Sequence, residues 1–161
     1  MKIWMLHICL AIALLIGCGS PVDIRVGEIA PAFRLQSLNG TWVQSQSLTG
    51  RVVVLNFWQT TCGPCLKELP HLKALAAKSG ASVIGINLSE DPSQTVKPFV
   101  EQHRISYPIL LGDETVFQQF DGTAIPYTLI LDPTFKIVRI YRGPVDQITL
   151  EQAVKTILQD S

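Results

Sequence analysis

An α/β domain with a central mixed β-sheet flanked by helices and an N-terminal β-hairpin extension is what this sequence predicts, on three observations. The run Val52-Val53-Val54-Leu55-Asn56-Phe57-Trp58 is almost unbroken in its apolar character, as suits a central strand covered on both faces. A turn, a stretch with helical spacing and a second apolar run over residues 82–88 follow it, so these two strands should pair in parallel. Towards the C-terminus, apolar runs over 127–131 and 136–141 flank Asp132-Pro133-Thr134, the mark of an antiparallel hairpin. With 161 residues, 47% hydrophobic and 16% charged, the chain can build one domain with a proper core but not two.

The first segment reads as a targeting device. Met1-Lys2 supplies positive charge, and residues 3–16 are apolar apart from His7. This stretch is shorter than the ~20 residues a membrane-crossing helix needs, so a secretory signal peptide fits better. It ends Leu15-Ile16-Gly17-Cys18, which resembles the lipobox of bacterial lipoproteins. That resemblance implies lipid transfer to Cys18, cleavage before it and anchoring in the bacterial cell envelope, on the periplasmic side where there are two membranes. An uncleaved anchor, or a plain signal peptide with Cys18 incidental, is the alternative. The expected organisation is a signal peptide over 1–17, a tether over 18–26 and a folded domain over 27–161.

Residues 33–36 alternate, Asn39-Gly40 is a strong turn signal, and Thr41-Trp42-Val43 reads as the return strand of an N-terminal hairpin. After the strand over 52–58, a helix should run from the second of two cysteines to about Lys78, stopping at Ser79-Gly80 and kinked at Pro70. A second helical stretch is expected from Asp91-Pro92-Ser93 to about Arg104, broken or restarted at Pro98. A short strand over 107–111 and a short helix over 114–120, closed by Asp121-Gly122, come next. The last helix, over about 147–158, carries Ile148, Leu150, Ala153, Val154, Ile157 and Leu158 mostly on one face.

Thirteen basic and thirteen acidic residues balance, so nothing points to a nucleic-acid partner. Of the four cysteines, Cys9 and Cys18 lie in the leader, and the domain holds only Cys62-Gly63-Pro64-Cys65. This pair stands where the strand gives way to the helix. A thiol there faces unpaired backbone N–H groups and the positive end of the helix dipole, and both favour the reactive thiolate. The two-residue spacer lets the sulfurs meet in a small ring, and Pro64 sits where its missing N–H costs little. A structural disulfide across so short a loop removes little chain entropy. A zinc site would need two more ligands, and His71 and His103 form no paired pattern. A cycling dithiol is the reading these residues favour.

The stretch Asn56-Phe57-Trp58-Gln59-Thr60-Thr61-Cys62-Gly63-Pro64-Cys65-Leu66-Lys67-Glu68-Leu69-Pro70 resembles the active-site segment of thioredoxin-like proteins. It is most similar to the TlpA/ResA type, within the AhpC/TSA–redoxin superfamily. Gly122-Thr123-Ala124-Ile125-Pro126-Tyr127 resembles the second signature, a cis-proline before a strand. The resemblance implies a thioredoxin-like fold and attack by Cys62 on a substrate disulfide, with Cys65 resolving the mixed disulfide. Substrate would contact Thr61, Gly63, Pro64, Ile125 and Pro126, an ordinary trans Pro126 being the alternative. Glu68, on the same helix face as Cys65, would exchange protons with it if buried, and would be a solvated surface residue otherwise. No cofactor is implied beyond the Cys62–Cys65 disulfide, and no metal. The sequence departs from the pattern in two places. Asn56 stands where cytoplasmic thioredoxins carry Asp, leaving Glu68 as the buried-acid candidate, and Thr61 stands where Trp is usual.

The expected function is that of a membrane-tethered, extracytoplasmic thiol–disulfide oxidoreductase. It would reduce disulfides in envelope proteins, for example in cytochrome c maturation, and draw electrons from a membrane or envelope donor. The alternatives are a thiol peroxidase of the AhpC/TSA kind, which is associated with Thr where Gln59 stands, and a non-catalytic metal-handling lipoprotein.

Overall fold

The computed structural model describes residues 24–78, 80–90 and 92–160. The signal peptide expected over 1–17, lipidation at Cys18 and the first part of the expected tether lie outside the described residues. Among the described residues no helix is long and apolar enough to cross a membrane.

The strands are β1 (Arg34–Ser37), β2 (Trp42–Gln44), β3 (Val52–Trp58), β4 (Ala81–Asn87), β5 (Ile109–Leu111), β6 (Tyr127–Leu131) and β7 (Ile137–Arg142). The helices are α1 (Gly63–Ala77), α2 (Lys97–Gln102), α3 (Glu114–Gln119) and α4 (Gln147–Asp160). All the strands join one seven-stranded sheet in the order β2-β1-β5-β4-β3-β6-β7. The sheet is mixed: β3, β4 and β5 run parallel, while β6 lies antiparallel to β3 and β7 antiparallel to β6. The N-terminal hairpin extends this same sheet, because β1 also pairs with β5 through Gln36↔Leu111 and Ser37↔Leu110.

Every residue of β3 is buried, and its alternation feeds two cores. Val53, Leu55 and Phe57 face a layer closed by α3 and the segment before β1, where Phe57 packs 5.2 Å from Phe120 and 5.4 Å from Phe117, ring centre to ring centre. Val52, Val54 and Trp58 face the opposite layer, beneath α1 and α4. Helix α1 buries Cys65, Glu68, Leu69, Leu72 and Leu75, the i, i+3, i+4 stripe that a helix presents to a sheet.

The structure departs from the sequence expectations at two places, the start of the domain and the start of β5. Ile24, assigned to the tether over 18–26, is buried in the α3-side core, and the Gly27 N–H donates to the Ile137 carbonyl. The packed domain therefore begins before residue 27, because the bridge Ile29↔Lys136 lays this segment along the start of β7. The helical stretch expected over 91–104 is restarted at Pro98 as expected: a wide π turn over Pro92–Val96 gives way to α2, which takes Pro98 into its first turn where no N–H is needed. The strand expected over 107–111 starts only at Ile109. Pro108 has no N–H for the ladder and contributes only its carbonyl, which accepts from Gly85.

Leu72 is 1% exposed and lies midway along the seam between α1 and the sheet. Leu72→Ala should lower the unfolding free energy by ~2–5 kcal/mol, the cost of lost burial plus the cavity left behind. Urea denaturation of the oxidised protein measures it; a loss below about 1 kcal/mol would mean the seam collapses around the gap.

Candidate active site

Strand β3 ends at Trp58, and the chain turns through residues 59–62 at the carboxyl edge of the parallel strands. Gln59 fixes the turn from both ends, its side-chain amide donating to the Leu88 carbonyl at 3.0 Å and its own carbonyl accepting from the Cys62 N–H at 3.2 Å. Cys62 then acts as the N-cap of α1, its Sγ accepting from the Cys65 N–H at 3.2 Å. One orphan donor of the helix start is thus satisfied by sulfur, and a negative charge on that sulfur would be stabilised by the same N–H and by the helix dipole.

Cys62 and Cys65 are joined as a disulfide with their Cα atoms 5.2 Å apart. Cys62 is partly exposed, whereas Cys65 is 6% exposed and faces the core. Thr61, Gly63 and Pro64 are exposed around the outer sulfur. The Ile125–Pro126 peptide is cis, Ile125 is half-buried and Pro126 is buried. The pairing Phe57↔Tyr127 sets Pro126 beside the end of β3, at the same sheet edge from which the cysteine turn emerges. Strand register therefore brings the two sequence signatures together.

Beneath the disulfide lies a buried polar group of four. Asn56 and Thr128 are register partners on β3 and β6, and by alternation both point to the α1 side. Glu68, one turn beyond Cys65, is 1% exposed and meets them there, which rules out the surface alternative. Its carboxylate accepts from Asn56 Nδ2 at 3.0 Å, from the Thr128 hydroxyl at 3.2 Å and from the Val145 N–H at 3.3 Å. Asn56 Nδ2 also donates to Thr128 Oγ1 at 2.9 Å. Burial pushes the Glu68 pKa up to about 7, against the three donors and the nearby His71, which pull it down. Desolvation wins. Tyr107, buried next to this group, has its phenol pushed well up by burial and by the charge of Glu68.

Trp58 lies beneath the turn, 4% exposed, with its ring 5.3 Å from that of Phe99. Among the described residues no three His, Cys, Asp or Glu side chains come together as a group that could hold a metal ion. Sequence reasoning did not single out Thr128, Val145 or His71. Thr128 carries a readable signal, a polar residue inside an apolar strand; the Val145 donor is a backbone group and carries none.

Comparison with known proteins places this geometry. The model of the AhpC/TSA family matches residues 26–141. The chain belongs to the AhpC/TSA family. Within the curated proteins it is similar to the thiol-disulfide oxidoreductase ResA of Halalkalibacterium halodurans, 31% identical over 137 residues that cover 83% of this chain and 77% of that one. It is also similar to the thioredoxin-like protein YneN of Bacillus subtilis, 30% identical over 81% of this chain and 79% of that one. Among solved structures, a thiol:disulfide interchange protein of the thioredoxin family from Chlorobium tepidum superposes with a TM-score of 0.72 at 27% identity, over 84% of this chain and 99% of that one. With the Cys62–Cys65 pair, these likenesses make this AhpC/TSA family member a thiol–disulfide oxidoreductase of the TlpA/ResA type with a thioredoxin-like fold.

The raised Glu68 pKa has a consequence for stability. The fold favours the neutral carboxyl, so the contribution of Glu68 is full below pH 4.5 and is lost as pH rises through about 7. The unfolding free energy of the oxidised protein should fall across this window by an amount on the order of 3 kcal/mol. Denaturation series at several pH values measure the slope, and Glu68→Gln should flatten it; an equal slope in both proteins would place the proton elsewhere.

Proposed function

We propose that this protein is a lipid-anchored, extracytoplasmic reductant of protein disulfides, the anchor being carried on Cys18. The single observation that carries the reading is the arrangement at the start of α1. An outward Cys62 caps the helix, an inward Cys65 is bonded to it, and a buried Glu68 with a pKa near 7 sits one turn below.

In the reduced protein, the Cys62 thiolate attacks one sulfur of a substrate disulfide, and the other substrate sulfur leaves as a thiolate and takes up a proton. Cys65 then gives its proton to the Glu68 carboxylate and attacks Cys62 Sγ. The second substrate thiolate departs and the Cys62–Cys65 disulfide forms, so two electrons have passed to the substrate. An envelope or membrane dithiol returns the pair to its reduced state. The only redox group this cycle uses is the Cys62–Cys65 pair itself.

Substrate lies against Thr61, Gly63 and Pro64 on one side and Ile125-Pro126 on the other, where an extended segment pairs with the backbone of residue 125. Clients are envelope proteins with paired cysteines, apocytochrome c being one such. The leader sequence supports the location, and the exposed rim of the disulfide supports a macromolecular substrate. Gln59 supports disulfide exchange over peroxide chemistry, since it holds the turn through Leu88 at the position associated with Thr in thiol peroxidases.

Cys62→Ser should reduce insulin-type disulfide reduction to background, whereas Cys65→Ser should accumulate mixed disulfides with clients in cell envelopes. Full activity in Cys62→Ser would overturn the assignment of roles. In the reduced protein, the pH profile of thiol alkylation should show an inflection near pH 7 that Glu68→Gln removes. An unchanged profile would take Glu68 out of the proton path.

A further inference from the structure

Two residues one turn apart on α1 grip the backbone of a single residue in a different element, through the two peptide groups that flank it. Glu68 Oε1 accepts from the Val145 N–H at 3.3 Å, and His71 Nδ1 lies 2.9 Å from the Val145 carbonyl oxygen. A carbonyl oxygen can only accept, so Nδ1 is the ring nitrogen that carries the hydrogen in this contact. Val145 belongs to the strap over residues 143–146 that joins β7 to α4, and its side chain is buried in the α1-side core. The strap begins at Gly143, whose φ of +98° is a conformation that favours glycine, and the Gly143 N–H donates to the Pro126 carbonyl at 2.9 Å. One short segment therefore touches the prolyl loop, the buried carboxylate and the helix that carries the cysteines.

The strap lies outside the strands, and Pro144 offers no N–H, so its end contacts are what set the directions of the Val145 N–H and carbonyl. Of the two contacts on the Val145 backbone, the one from His71 is the shorter; it holds the peptide after Val145, and Glu68 holds the peptide before it.

We propose that His71 is a positioning residue for the disulfide chemistry: its Nδ1–H holds the Val145 carbonyl and so fixes the backbone at Val145, which keeps the Val145 N–H aimed at Glu68 while the strap keeps its hold on the Pro126 carbonyl. The proposal rests on the proton-exchange role given to Glu68 above. Among the described residues few other groups are able to act electrically on that carboxyl. β3 and β6 contribute only neutral Asn56 and Thr128, Tyr107 comes from the segment before β5, and α1 contributes Cys65 and His71. Asp146, at the end of the strap, is engaged with the Thr149 N–H and hydroxyl, and Lys78 pairs with Glu151 farther along the α1–α4 seam.

The test titrates the Glu68 side-chain carboxyl by carbon NMR in the full-length disulfide form and follows hydrogen exchange at the Val145 and Gly143 amides. His71→Ala should raise the Glu68 midpoint by about half a unit and speed exchange at both amides by roughly tenfold. His71→Asn sets an amide donor where Nδ1 was without the ring's charge; it should restore amide protection and part of the midpoint. Unchanged midpoint and exchange in His71→Ala overturn the proposal. So does a midpoint shift that Asn leaves wholly uncorrected, which would make His71 a distant charge only. Neither readout needs turnover, so a thiol profile unaltered by Glu68→Gln would count against the proton path and leave this measurement standing.

Discussion

A carboxyl group sealed between α1 and the sheet is the constraint to which the neighbouring residues answer. A carboxylate taken out of water costs several kcal/mol unless its oxygens are met by donors, and the fold supplies three of them to Glu68. They do not fully offset the loss of water, since the group still holds its proton up to about pH 7. This partial compensation gives the site its character. Three shorter and better aimed donors would leave an ordinary ionised carboxylate, and none would leave a neutral acid at every physiological pH. The identities of Asn56 and Thr128 follow from this requirement, because an apolar residue at either place would remove a donor without removing the burial.

The sheet explains how these groups come to meet. Parallel pairing of β3 with β4 forces a crossover helix, so α1 starts at the carboxyl edge and runs back over the strand that precedes it. Cys62 is thereby at the rim, Cys65 below it and Glu68 one turn deeper than Cys65, over the α1-facing side of β3. The antiparallel neighbour β6 then contributes Thr128 from the same face and Pro126 from the same edge. The sequence between β7 and α4 closes the arrangement from the side, and this is the part with the least regular backbone.

Legibility in the sequence followed the physics of each group. Cys62 and Cys65 were readable because their spacing and their place after an apolar strand have few other uses. Asn56 stands out as a polar residue among Val, Leu, Phe and Trp, and Glu68 as an acid inside the stripe of Cys65, Leu69, Leu72 and Leu75. Thr128 carried the same signal in a shorter strand. Val145 did not, since a backbone N–H has no residue-type signature, and a lone His71 reads like any helix-surface histidine. Ile24 was misplaced for a related reason: one apolar residue in an irregular segment has no period, and only the partner surface reveals that it is buried. The start of β5 was misjudged because the missing N–H of Pro108 removes a ladder bond that an apolar pattern alone cannot show to be lost.

The same carboxyl bears on when the second half of the reaction can run. In the proposed cycle Cys65 must lose a proton to attack Cys62 Sγ, and the group that takes the proton has to be empty at that moment. A carboxylate with an ordinary pKa would be empty but a weak base, while one held far above neutrality would already be full. A midpoint near 7 lies between these, where the product of availability and basicity is greatest. In the proposed cycle the outer sulfur is the first nucleophile because it is the accessible one, Cys65 being buried against the core. Exposure separates the two cysteines in space, and in the proposed cycle it also sets which of them reacts first. The midpoint itself is a balance between α1 burying the group and three donors answering it, so in the proposed cycle the timing of the second step depends on Asn56, Thr128 and the strap at Val145 as much as on the acid.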